Sequence, residues 1–127
     1  SRAKNSNLSS LASVFSSESF SIGKYSVFTK RIDGEDSASL RQVADQLRNA
    51  NKNSVIVLIS VNKDKIPLVV ATSKDNTELD ARKVLNFLVN QLGGSGGGRS
   101  DLAQGGVEKE EDIDLALESI KDFITSS

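Results

Sequence analysis

The sequence predicts an α/β fold: a mixed β-sheet of about four to five strands with three main helices packed on it. Two observations carry this expectation. Ser54 to Val61 is a nearly unbroken apolar run, the pattern of a strand covered on both faces. Around it, residues 37–51, 79–92 and 112–124 each place apolar side chains at helical spacing.

Taken in order, residues 1–21 are rich in Ser and Asn. Leu8, Leu11, Ala12 and Phe15 follow helical spacing, but the serines among them form helices poorly. This part is read as a poorly ordered or short-helical remnant, and 22–127 as the globular domain. Tyr25 to Ile32 is rich in β-formers and stops at the turn pair Asp33-Gly34. Ser37 to Asn51 is a helix whose core face is Leu40, Val43, Ala44, Leu47 and Ala50, with Arg41, Asp45 and Arg48 off that face. Asp36 or Ser37 is placed to cap it.

After the apolar strand, Asn62 to Lys65 is a short polar turn and Ile66 to Ser73 a second strand, giving an antiparallel hairpin. Pro67 lies near the strand start, where a missing N–H is tolerated. The second helix runs from about Leu79 to Leu92, with Ala81, Val84, Leu85, Leu88 and Leu92 inward. Thr77-Glu78-Leu79-Asp80 resembles a capping box, and Gly93 ends the helix. Leu102–Gln104 has room for a short strand. The third helix, Asp112 to Ile124, turns Ile113, Ala116, Leu117, Ile120 and Ile124 inward.

Composition narrows the chemistry. Only 5% of residues are aromatic, so the core is aliphatic. There is no Cys, which removes disulfides and thiolate metal sites. There is no His either, which removes the commonest general base and metal ligand and any Ser-His-Asp triad. No run of eighteen apolar residues suggests a membrane span. A start at Ser1, without Met or an apolar leader, suggests a piece of a longer protein. Charge is uneven: from Asp101 onward there are 8 acids and 2 bases, net −6, which leaves 9 acids and 14 bases, net +5, in residues 1–100. Such asymmetry is a permitted sign of an anionic partner for the basic part, but from charge alone the simpler reading is an acidic surface helix at the C-terminus.

The stretch with most chemical character is Gly93 to Gly106, which holds seven of the nine glycines. A plain linker would be Gly and Ser alone, whereas here the glycines surround Arg99, Asp101 and Gln104. It is not a Walker A loop, because no Gly-Lys-Ser/Thr follows, and it succeeds a helix rather than a strand, unlike a dinucleotide fingerprint. Two readings are open on physical grounds: a backbone concavity for an anion, or a glycine turn that lets neighbouring elements pack closely.

Phe87-Leu-Val-Asn-Gln-Leu-Gly-Gly-Ser-Gly-Gly-Gly-Arg99-Ser-Asp101-Leu-Ala-Gln104-Gly-Gly closely resembles a motif near the C-terminal end of the alanyl-tRNA synthetase family, commonly Gly-Gly-Gly-Arg-Pro-Asp-Met-Ala-Gln-Ala-Gly. Leu40-Arg-Gln-Val-Ala-Asp-Gln-Leu47 and Val69-Val-Ala-Thr-Ser-Lys74 fit the upstream pattern, and the resemblance spans about residues 24–124. Ser100, Leu102 and Gly105 stand where Pro, Met and Ala are frequent. The resemblance implies a DHHA1-like fold and a non-catalytic module that contacts the elbow of alanine tRNA and helps couple aminoacylation with editing. It implies no cofactor in this segment, with ATP and zinc confined to upstream domains of the parent chain. A homodimer is a further implied partner, and the location implied is cytoplasmic, with an organellar parent as the alternative. A self-association module with the Leu8, Leu11 and Phe15 stripe as its interface is a third reading. The rival reading is the same module in a DHH-family phosphoesterase or oligoribonuclease, where His typically follows the glycine run; Arg99 stands there in this chain.

Under the tRNA reading the candidate contacts are Arg99, Lys74, Gln104, Lys63 and Lys65, since Arg suits bidentate phosphate contact and Lys neutralises phosphate. For Lys63 and Lys65 the simpler reading is that of solvated turn lysines. Asp101 would repel phosphate and is read as a loop brace that accepts from backbone N–H groups. Gly94, Gly96, Gly97, Gly98, Gly105 and Gly106 form the glycine loop, exposed at one edge of the sheet. Valine at Gly97 is expected to damage it. No residue is assigned a catalytic or metal-binding role.

Overall fold

The computed structural model describes residues 20–23, 25–73 and 79–126. Among the described residues six strands form one sheet: β1 (Phe20–Ile22), β2 (Tyr25–Arg31), β3 (Ser54–Ile59), β4 (Ile66–Thr72), β5 (Gly94–Gly98) and β6 (Leu102–Val107). Their spatial order is β1-β2-β3-β4-β6-β5. Only β2 and β3 run parallel; β1–β2, β3–β4, β4–β6 and β5–β6 are antiparallel. The parallel pair is joined by α1 (Ser37–Ala50), the crossover that a parallel connection demands. Two further helices, α2 (Ala81–Leu92) and α3 (Ile113–Ser126), follow among the described residues.

Three layers result. On one face of the sheet, Leu40, Val43, Ala44 and Leu47 of α1 pack with Phe28, Ile56, Leu58, Val69 and Ala71. On the other, α2 and α3 cover Val27, Val55, Val57, Leu68, Val70, Ala103 and Val107. Every residue of β3 and β4 is buried, because helices lie on both sides of them. That is why both strands read as continuous apolar runs rather than alternating ones.

The helix ends follow local chemistry. Asp36 caps α1 by accepting the Ser39 N–H at 2.8 Å. At its other end the Asn51 amide donates to the Leu47 carbonyl at 2.8 Å. The α2 helix begins two residues later than the apolar spacing suggests, because Asp80 is its cap and accepts the Arg82 N–H. Thr77 and Glu78 of the expected capping box lie outside the described residues. Gly93, at φ +71, closes α2 by returning its N–H to Val89. The Leu92 carbonyl accepts from Lys109, so the chain leaving β6 is tied back to the end of α2. A 3-10 turn, Glu110–Asp112, then leads into α3, whose Phe123 ring lies 4.6 Å from that of Phe87.

The structure departs from the expected strand count in two places, both at sheet edges. β1 adds a strand at 20–22, across the boundary drawn between the remnant at 1–21 and the domain; residues 1–19, with the Leu8, Leu11 and Phe15 stripe, lie outside the described residues. The glycine stretch is a strand and not a loop: β5 pairs with a β6 that extends to Val107. Glycine is among the poorest strand formers and has no side chain to alternate, so no pattern announces β5. Its conformation is imposed by the ladder with β6.

Candidate functional site

The β5–β6 hairpin turns through Ser100 and Asp101. The Arg99 N–H donates to the Leu102 carbonyl at 2.8 Å, and the Leu102 N–H returns a bond to Arg99 at 3.3 Å. Ser100 and Asp101 both have carbonyls that reach other elements. That of Ser100 accepts from the Ala81 N–H at the start of α2 (2.8 Å) and from the Thr72 hydroxyl (3.3 Å). That of Asp101 accepts from the Thr72 N–H (3.0 Å) and from Nη1 of Arg48 (2.9 Å). The tip is thus pinned to α1, β4 and α2 at once.

Arg48 is the least expected part of this arrangement. Its side chain is only 8% exposed. Nε and Nη2 meet Asp45 Oδ1 at 2.8 and 2.7 Å, while Nη1 also lies 3.2 Å from Asp101 Oδ2. A planar guanidinium serves both carboxylates and a carbonyl from separate edges in one fixed geometry, which the rotatable donors of an ammonium hold less firmly. The Asp101 carboxylate thus meets the Arg48 guanidinium, whereas the sequence reading has it accept from backbone N–H groups. Arg99 points the other way: its side chain is 75% exposed, with Nε at 3.8 Å from Asp101 Oδ1.

The hairpin needs glycine at alternate positions. A Cβ on Gly96 would lie 2.6 Å from Gly105 Cα and 2.9 Å from a Leu85 methyl on α2. One on Gly98, at φ +155, would lie 2.6 Å from Ala103 Cα. Gly94 and Gly105 are equally blocked by the facing strand. Gly97 is not: a Cβ there meets nothing within 4 Å and its φ is not positive, so the expectation that this position requires glycine is corrected. At Gly106 the nearest atom to a Cβ is the Ile66 carbonyl oxygen, at 3.9 Å. Of the two readings of the glycines, close packing against α2 and the partner strand accounts for Gly94, Gly96, Gly98 and Gly105.

The candidate contact residues fall in two groups. Arg99 and Asp101 share the pinned tip. Lys63 and Lys65 lie at the opposite end of the sheet, beside Ile66, which pairs with Val107, whereas the tip adjoins Leu102, which pairs with Ala71. That separation is about 17 Å, the length of five strand residues. Lys63 and Lys65 border a shallow hollow of about 340 Å³ whose lining also includes Asp64, Glu108 and Glu110. Gln104 is exposed on the α1 side of β6, and a recess of about 220 Å³ joins it to Lys65, Ser37 and Pro67. Lys74 lies outside the described residues.

Sequence reasoning passed over Arg48 and Arg82. Arg82 stands at the start of α2, next to the residue that bonds the tip, and its guanidinium meets Asp80 at 2.8 Å. The hydrogen bond from Arg82 holds the Asp80 carboxyl below its ordinary value. The signal for Arg48 is the Asp45/Arg48 spacing of three, which places both on one helix face, but nothing local says that face is covered. Among the described residues no cluster of acidic side chains is arranged to hold a metal, and no helix is long and apolar enough to cross a membrane.

Residues 24–126 match the DHHA1 domain. The chain belongs to that family. This DHHA1 domain is 38% identical over 122 residues to an alanine–tRNA ligase of Saccharophagus degradans, covering 95% of the chain but 14% of the relative. It is 44% identical over 94 residues to the ligase of Ruthia magnifica, covering 73% of the chain and 11% of that relative. The domain thus spans about a seventh or less of the curated relatives it matches. Among solved structures it superposes on the C-Ala domain of alanyl-tRNA synthetase from Aquifex aeolicus with a TM-score of 0.79 and 30% identity, covering 84% of this chain and 97% of that one. The same fold recurs at 14% identity and a TM-score of 0.59 in CDC45 of Entamoeba histolytica, covering 93% of this chain and 28% of that one. The mixed sheet and three helices are those of the C-Ala domain, with one strand more than the upper expectation.

Proposed function

We propose that this DHHA1 domain is the non-catalytic tRNA-binding module of an alanyl-tRNA synthetase, contacting the elbow of alanine tRNA and helping one bound tRNA serve both aminoacylation and editing. The observation that carries the reading is the exposed Arg99 on a hairpin tip pinned to three elements. A folded RNA surface is recognised through shape, phosphates and 2′-hydroxyls, and an exposed guanidinium on a held backbone suits that task. Binding then has to order the side chain but not the backbone beneath it, which is already held. The kinship with alanine–tRNA ligases supports the choice of RNA. Alanine activation with ATP and zinc-dependent editing belong to upstream domains of the parent chain, and self-association and a cytoplasmic setting are further parts of this proposal.

The test is a salt titration of binding to full-length alanine tRNA and to an acceptor minihelix that lacks the elbow. The expected result is binding to the full tRNA alone, weakening as salt rises. Equal affinity for both RNAs would remove the elbow from the reading, and binding to neither would remove RNA.

A further inference from the structure

Three charged groups line up from the interior to solvent at the hairpin tip. The Arg48 side chain is 8% exposed, that of Asp101 29% and that of Arg99 75%. Asp101 lies between two guanidiniums, with Oδ2 at 3.2 Å from Arg48 and Oδ1 at 3.8 Å from Arg99. The inner contact is within hydrogen-bond range and the outer one is not. A carboxylate beside a phosphate-binding arginine opposes that task twice: it repels the phosphate and competes for the guanidinium.

We propose that Arg48 is a positioning residue for RNA binding: by taking up the Asp101 carboxylate from the buried side, it leaves the Arg99 guanidinium presented to phosphate. This rests on the tRNA reading above. Bracing the backbone does not by itself require a charge, because the Asp101 carbonyl is already held by the Thr72 N–H. Two of Arg48's contacts are to carboxylates, Asp45 and Asp101, on separate edges of one guanidinium. Its charge therefore has a use that a neutral donor would not fulfil. Remove it, and the Asp101 carboxylate has Arg99 as its remaining ion-pair partner among the described residues.

The geometry separates two effects that a single alanine variant would merge. Arg48→Met removes both the charge and the hydrogen bonds. Arg48→Lys keeps the charge and loses the forked geometry. Arg48→Met combined with Asp101→Asn leaves the turn without its guanidinium but also without the competing carboxylate. If Arg48 only braces the turn, the second substitution cannot help.

The experiment measures binding of the 127-residue chain to alanine tRNA across salt, with urea midpoints to show that each variant is folded. Arg99→Ala and Arg48→Met are each expected to flatten the log–log salt slope by about one and to weaken low-salt binding by about 5-fold or more. Arg48→Lys is expected to lose stability yet keep the slope. Arg48→Met/Asp101→Asn is expected to return to within about 2-fold of the parent affinity, because one opposing charge has gone with its counter-charge. Asp101→Asn alone is expected to bind at least as tightly as the parent, and it remains informative if Arg48→Met does not fold. A wild-type slope in folded Arg48→Met, no recovery in the double variant, or weakened binding in Asp101→Asn would each overturn the proposal while leaving the tRNA reading intact. A wild-type slope in Arg99→Ala would instead bring down the Arg99 contact and this inference with it.

Discussion

Arg48 and Asp101 join the first helix to the glycine hairpin, with Nη1 at 2.9 Å from the Asp101 carbonyl and 3.2 Å from its carboxylate. Both partners come from stretches that look superficial in the sequence, yet the arginine is almost wholly buried. Losing a charged donor from such a site leaves polar groups without their partner. Arg48→Met is therefore expected to lower stability by roughly 1–3 kcal/mol. The check is the urea midpoint at constant m-value.

The two central glycines of β5 are expected to behave oppositely. Gly96→Ala drives a methyl into Gly105 and Leu85, at a cost of roughly 1–3 kcal/mol, the range for overpacking. Gly97→Ala meets no atom within 4 Å, and a loss of unfolded-chain freedom should make it neutral or stabilising by about 0.4–1 kcal/mol. Thermal unfolding of the pair, side by side, decides the matter. Equal destabilisation would show that the strand itself, rather than its α2-facing side, is intolerant of side chains.

Arg99 is expected to be dispensable for folding and costly for RNA. Its exposed side chain makes Arg99→Ala neutral within about 0.5 kcal/mol in denaturant unfolding. The same variant should bind alanine tRNA more weakly, with a salt slope shallower by about one. A fall in stability matching the fall in affinity would reassign it to the scaffold.

Acid should loosen the domain through Asp80 and Asp33. Hydrogen bonds from Arg82 and Arg31, respectively, hold these carboxyls below their ordinary value of 3.8. A depressed folded value means stability that is complete above the unfolded value and drains away as pH falls through the folded one. Asp80→Asn keeps an acceptor for the Arg82 N–H but does not titrate. Its unfolding midpoint should change less than the parent's between about pH 5 and pH 2. A parallel decline in both proteins would show that the acid sensitivity lies elsewhere.

The helices and the central strands were legible because burial writes a periodicity into side chains. Leu40, Val43, Ala44 and Leu47 face the sheet as their spacing implies, and β3 and β4 are buried throughout. β5 was not legible, since five residues comprising four glycines and a serine carry no periodicity to read. Arg48 escaped for a different reason. It borders the apolar stripe of α1, four residues after Ala44, and nothing local announces that the chain returns at residue 101 to bond it. Lys63, Lys65 and Arg99 were grouped by charge alone, whereas strand register sets them at opposite ends of the sheet.

The register also has a consequence in time. β3–β4 and β5–β6 are neighbours along the chain, whereas the Arg48–Asp101 contact closes over 53 residues. Local hairpins can form early at little entropic expense, and a contact of that span is expected to lock after the sheet is assembled. Substitutions at Arg48 should then accelerate unfolding and leave the folding rate nearly unchanged. The two limbs of a chevron plot would separate these, and a slowed folding limb would place the clamp in the nucleus instead. On this account the link acts as a latch on the lifetime of the native state, and the hairpin tip it holds should be the first part to open when it is cut.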